Sequence, residues 1–98
     1  MWWHVACDAL AAKRRLEIRY DGFSRVVEVH AVGTTLEGNP VMRAWQVSGG
    51  SKSGKNSGWK LMSLEKTWAY SILDQESCAP RPDYKRGDKA IAHIRCQI

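Results

Sequence analysis

At 98 residues the chain can enclose one small core and is too short for two domains. A hydrophobic share of 44% excludes wholesale disorder, and the N-terminal apolar run, broken by Asp8 and ended at Lys13, is expected to be neither a signal peptide nor a membrane span. A formal charge of +5 suits an anionic partner, and five tryptophans leave some for an interface or ligand surface.

Residues 3–14 read as a helix. Val5, Ala9 and Ala12 repeat at helical spacing, and Ala6 and Leu10 widen the stripe. Lys13, Arg14 and Arg15 follow, where cations favour the negative end of a helix dipole. A strand is predicted at Leu16–Tyr20, with Leu16, Ile18 and Tyr20 on one face. Asp21-Gly22-Phe23 turns the chain into a second strand, Arg25–Val32, whose valines on both faces predict cover on both sides. His30 lies in this strand as a candidate ligand contact, set against the plainer role of a half-buried side chain with one hydrogen-bond partner.

A turn-rich loop, residues 33–40, leads to a third strand at Val41–Ser48. Met42, Ala44 and Gln46 alternate there with Val41, Arg43, Trp45 and Val47, so one face is expected on the core. Arg43 and Trp45 share the other face. A cation beside an aromatic is one way to stack a base and hold its phosphate. Residues 48–58, SGGSKSGKNSG, form a flexible basic loop. Gly49 to Lys55 matches the spacing of a phosphate-binding loop. However, Asn56 stands where magnesium needs a hydroxyl, and the segment joins two strands instead of opening a helix. That motif is therefore excluded, while Lys52 and Lys55 remain possible phosphate contacts.

Two more strands are predicted at Trp59–Leu64 and Thr67–Leu73. Pro80, Pro82 and Gly87 make the following stretch irregular, and the alternation Ala92, Ile94, Cys96, Ile98 favours an extended tail. Cys7, Cys78 and Cys96 are scattered and odd in number, so free buried thiols in a reducing cytosol, and a cytoplasmic location, are expected. No metal-ligand spacing, nucleophile elbow or carboxylate pair stands out, and neither a cofactor nor an enzyme is expected.

A helix followed by five short antiparallel strands predicts a mainly β chain, 1–98, folded as one closed barrel of SH3/Sm-like type. The helix covers about 3–14, the barrel about 15–73, and an irregular C-terminal extension about 74–98. The run from Ala9-Leu10 to Tyr20 resembles the opening of the WYL domain family. Arg25-Val26-Val27-Glu28-Val29-His30, Gly38 to Ala44, and Trp59-Lys60-Leu61-Met62-Ser63-Leu64-Glu65-Lys66 resemble its next three strands. The likeness covers roughly residues 9–73. The Trp-Tyr-Leu signature would fall at Pro40-Val41-Met42 and is absent, and no helix-turn-helix reader accompanies the domain. The resemblance implies an Sm-like core and a regulatory module for nucleic acid or nucleotide-type ligands. It places Tyr20, Arg25, His30, Arg43 and Lys60 in matching strands, and Trp45 joins them from the stacking argument. The expected partner is single-stranded RNA or another oligonucleotide, with no membrane. The alternatives are a sensor of a small nucleotide-like ligand and a ring-forming assembly protein, since such barrels often form cyclic homo-oligomers through their edge strands.

Overall fold

The computed structural model describes residues 2–98. One helix, α1 (His4–Ala12), precedes β1 (Arg14–Tyr20), β2 (Phe23–Thr34), β3 (Pro40–Gly49), β4 (Gly58–Ser63), β5 (Thr67–Glu76) and β6 (His93–Gln97). A single 3-10 turn, Leu64–Lys66, joins β4 to β5. The strands form one antiparallel sheet in the order β4-β3-β2-β1-β5. The strand β2 is long enough to serve two neighbours on its other side. Its first half pairs with β1 and its last four residues pair with β6.

The mainly β expectation holds, and the closed barrel does not. Strands β4 and β5 stand at opposite ends of the sheet order and are not paired with each other, so the sheet is open. The extension after residue 74 is also more regular than expected, because β5 continues to Glu76 and the tail supplies β6. The tail becomes a strand because residues 31–34 of β2 outrun β1 and leave ladder groups that β6 completes.

Lys13 ends the helix in a left-handed conformation (φ 56°), and its N–H closes the last turn on the carbonyls of Ala9 and Leu10. The basic cluster is thereby divided. Lys13 caps the helix, while Arg14 and Arg15 already belong to β1. Nine residues make a helix too short to persist alone. Here α1 buries Ala6 and Ala9 against Leu16, Ile18, Val27, Val29, Val32, Met42, Ala44, Met62 and Leu64, which form the main core on one face of the sheet.

The opposite face is covered by the strap between β5 and β6, residues 77–92. Ile91 packs there with Ala31, Val41 and Ile94. A register shift between Val29 and Ala31 rotates β2, so that Val32 returns to the helix side while Ala31 joins the strap side. The cover on both sides of β2 read from its valines is present: every residue from Val27 to Gly33 is buried.

Two of the three cysteines are not free thiols. Cys7 on α1 is disulfide-bonded to Cys96 on β6, 89 residues away, and only Cys78, on the strap, is a free and exposed thiol. Spacing along the chain carries no sign of this pair, because β6 reaches α1 only through its place in the sheet.

Candidate functional site

Glu28, His30 and Arg43 on the strap-side face are wholly or partly withdrawn from water, and they hold the strap. Glu28 is fully buried. Its Oε1 accepts from Arg81 Nε at 2.6 Å, and its Oε2 accepts from Arg15 Nε at 3.1 Å and the Cys78 N–H at 2.8 Å. Burial by itself would raise the Glu28 pKa. The hydrogen bonds from Arg81, Cys78 and Arg15 outweigh it and hold the carboxyl below its ordinary range. A buried carboxylate persists only with such partners.

His30, two residues on, is also fully buried. Its Nδ1–H donates to the Glu28 carbonyl at 2.9 Å, and its Nε2 accepts the Arg81 N–H at 2.9 Å. Both ring nitrogens are thus used by the neutral ring, and the tautomer is fixed by a carbonyl on one side and an amide on the other. The ring packs edge-on against Trp59 at 4.6 Å and beside Tyr84 at 5.1 Å. The structure therefore places His30 as an anchor of the strap, with no nitrogen left for a ligand.

Burial holds the His30 pKa below the ordinary histidine value, more than the nearby Glu28 raises it. The unfolded chain then binds more protons than the native one below about pH 6.5. His30 contributes its full stability above that pH and loses it as the pH falls toward its depressed native value. A second loss follows at lower pH, as Glu28 and Asp88, both with lowered pKa values, take up protons. Chemical denaturation between pH 8 and 5 checks this. The expected midpoint falls with acidity across the histidine range, and His30→Gln flattens that slope.

Beside the anchor lies a cleft of about 440 Å³ lined by Arg43, Trp59, Tyr84, Lys85, Arg86 and Lys89, together with Asp83, Gly87 and Asp88. Arg43 projects from β3, and its Nε donates to Asp88 Oδ2 at 2.6 Å. That ion pair holds the Asp88 carboxyl below its usual range against the opposing effect of burial. Asp88 also accepts the Ala90 N–H, which turns the strap back toward β6. Trp59 and Tyr84 lie nearly parallel, with an interplanar angle of 27° and centroids 6.2 Å apart. Trp59 Nε1 donates to the Pro82 carbonyl, and Tyr84 Oη reaches the carbonyls of His30 and Ile98. The polar tips are used internally while the ring bodies line the cleft. Among the described residues no ion pair engages Lys85, Arg86 or Lys89, all exposed.

The sequence-predicted residues divide between two places. Arg43 lines the cleft, Trp45 meets Trp59 edge-on at 5.4 Å with the Arg81 guanidinium 5.2 Å over its ring, and His30 lies beneath. Arg25, Lys60, Lys52 and Lys55 gather instead around the loop of residues 50–57, at one end of the sheet, and the Tyr20 ring lies beside Arg25. Arg25 is 3% exposed, lies 5.0 Å over the Tyr20 ring, and donates to Gln46 Oε1 at 3.2 Å. Lys60 Nζ donates to the Lys55 carbonyl at 2.7 Å and to Ser51 Oγ, and Tyr20 Oη accepts the Ser63 N–H. Lys52 reaches Asp21 at 3.7 Å, and Lys55 is exposed.

Lys85, Arg86, Lys89, Tyr84 and Trp59 were not singled out from the sequence as site residues. A signal was present: the strap reads Asp83-Tyr84-Lys85-Arg86-Gly87-Asp88-Lys89, three cations beside an aromatic around a turn glycine. Among the described residues no group of three or more His, Cys, Asp or Glu side chains is placed to hold a metal ion, and no helix is long and apolar enough to cross a membrane. Neither a protein-family model, nor a curated protein, nor a solved structure matches the chain.

Proposed function

We propose that this protein is a non-enzymatic binding module for single-stranded nucleic acid, with RNA the leading candidate, and that the strand enters the cleft between the strap and strands β3 and β4. The observation that carries this reading is the lining of that cleft: three unpaired exposed cations beside the Trp59 and Tyr84 rings. Cations neutralise phosphates and aromatic faces stack bases, in a way that tolerates sequence. The net charge of +5 draws such a strand from a distance. Arg43 positions the strap through Asp88, and Trp45 supports Trp59 from behind. A cytoplasmic location and the WYL-like and Sm-like affinities read from the strands remain part of this proposal. The Cys7–Cys96 bond then forms only where conditions oxidise it.

Fluorescence polarisation with labelled oligouridylate tests the reading. Binding weakens as salt rises, with log K falling by roughly 0.7 per neutralised phosphate for each unit of log salt. Replacing Lys85, Arg86 and Lys89 by alanine together reduces that slope by about 2 and lowers affinity about 100-fold at low salt. Salt-independent binding, or full affinity in the triple variant, overturns the proposal. A mononucleotide that raises the melting temperature while oligouridylate does not bind would point to a small-ligand sensor.

A second reading follows from the sheet edges. Strand β5 is an unpaired edge bearing Trp68 at 58% exposure and Ile72 at 41%, and β4 is the opposite edge. Pairing β4 of one copy with β5 of the next would remove both edges and generate a ring. Sedimentation at micromolar concentration decides it, since an 11.1 kDa particle excludes the ring.

A further inference from the structure

The loop end of the sheet carries a buried cation whose nearest carboxylate is out of hydrogen-bond reach. Arg25 is 3% exposed. One terminal nitrogen, Nη1, donates to Gln46 Oε1 at 3.2 Å. The other, Nη2, lies 3.9 Å from Asp21 Oδ2, beyond hydrogen-bond reach. Nε is buried with no partner at all. The Tyr20 and Phe23 rings lie 5.0 and 5.7 Å from the guanidinium and hold it flat. An ionised side chain so far withdrawn from water ordinarily faces a carboxylate or another anion in good geometry. Arg25 has the cage and only a distant carboxylate, and the edge left without a hydrogen bond is the buried Nε–Nη2 edge.

That edge is the fork that receives two oxygens of a phosphate side by side. The surroundings fit such a guest. The loop of residues 50–57 supplies small side chains, Lys52 and Lys55 lie on it, and Lys60 points its ammonium at the Lys55 carbonyl from below. Gln46 Nε2 and Lys60 Nζ hold the loop through the carbonyls of Gly50, Asn56 and Lys55. A Cβ at Gly54 or Gly58 would meet nothing within 4 Å, whereas Gly50 at the base of the loop packs against the Phe23 ring. Asp21 is shared at long range by Arg25 and Lys52, 3.9 and 3.7 Å away.

We propose that this end of the sheet is a phosphate site distinct from the strap cleft. The phosphate displaces loop 50–57 and takes the Nε–Nη2 edge of Arg25, with Lys52 and Lys60 as further cations and Asp21 as the internal carboxylate that it must outcompete. The guest is a phosphate group, free or at the end of a strand.

Inorganic phosphate titrated into the ¹⁵N-labelled full chain tests the site directly. The Arg25 Nε–H resonance moves on addition, with saturation in the titration range. Asp21→Asn, at a turn position with φ 52° where asparagine is well tolerated, removes the competing carboxylate and tightens phosphate binding by about fivefold. Arg25→Gln weakens it at least ~10-fold. Alanines at Lys85, Arg86 and Lys89 leave it unchanged. A still Nε–H resonance, or an Asp21→Asn variant with unaltered or weaker phosphate affinity, overturns the proposal even if Arg25→Gln fails to fold. So does loss of phosphate binding in the cleft variant. A 5′-phosphorylated oligouridylate preferred over its 5′-hydroxyl form assigns the site to strand ends, and equal binding of the two assigns it to free phosphate. Oligonucleotide binding that persists without any phosphate response leaves the cleft reading standing and removes this one. The converse removes the cleft alone.

Discussion

Glu28→Ala lowers the stability of this domain by about 3–5 kcal/mol and detaches the strap from the sheet. The size of the effect follows from what is left behind. The carboxylate receives three donors on two oxygens with no exposure of its own. Its removal deprives two guanidinium groups of their counter-charge and leaves the Cys78 N–H without an acceptor. Arg15 and Arg81 keep 23% and 24% side-chain exposure and recover part of their hydration, which places the expected cost at the lower end of that range. Glu28→Gln retains the shape but turns amide hydrogens toward guanidinium donors, so it also destabilises, by about 2 kcal/mol. Urea denaturation measures both. The Cys78 amide reports the local event, because Glu28 is its acceptor: hydrogen exchange at this N–H accelerates in both variants. Unchanged denaturation midpoints would show that the strap is held by its other contacts, the His30–Arg81 and Arg43–Asp88 hydrogen bonds and the aromatic rings, without Glu28. The consequence reaches the cleft, since Tyr84 through Lys89 are placed by the same strap. Oligonucleotide affinity therefore falls in Glu28→Ala without any change in the groups that would contact the ligand.

The fold was legible where the pattern is local. Alternation placed Met42, Ala44 and Gln46 on the core side and Arg43 and Trp45 on the other, and the sheet has that division. The valines on both faces of β2 announced cover on both sides. The open sheet was not legible, because closure depends on whether β4 and β5 approach in space, and strand periodicity is silent on that distance. The same limit hid the disulfide. At the site, side-chain chemistry singled out His30 and the family resemblance added Arg25, and both are buried. A histidine alternating with valines in a central strand has its solvent side decided by whatever segment lies across it, here Arg81 and Tyr84 from more than 50 residues away. Glu28 went unremarked for the same reason: it reads as the polar half of an alternation until the strap covers it. The cleft residues sit in a Pro- and Gly-interrupted stretch, where no periodicity assigns a face and only composition hints at use.

Opening the Cys7–Cys96 bond has the second large expected effect. Pairing across 89 residues restricts nearly the whole unfolded chain, and loop-closure entropy for that span gives about 4–5 kcal/mol at 25 °C, within the usual range of roughly 2–5 for a small domain. For a chain of this size the expected fall in melting temperature is roughly 15–30 °C. The Cys7→Ser, Cys96→Ser double variant and the reduced wild type should agree, which separates the bond itself from any side effect of serine. The loss is also local. Strand β6 is held to the sheet by pairing with residues 31–34 of β2 and to the helix by this bond and by Arg95, whose guanidinium lies 3.7 Å over the Trp3 ring. With the bond open, hydrogen exchange rises first in β6 and in its partners Ala31 to Thr34, while the β1–β2 ladder stays protected. The strap then keeps its anchor at Glu28 but loses its far end, where the Gly87 N–H is held by Gln97 and Tyr84 Oη by the Ile98 carbonyl. Cleft affinity for oligouridylate drops in step with the exchange at β6. A reduced protein that melts at the oxidised temperature would mean that the bond constrains nothing the native contacts do not already fix. A large drop means that the same chain presents a firm cleft in an oxidising setting and a loosened one in a reducing setting.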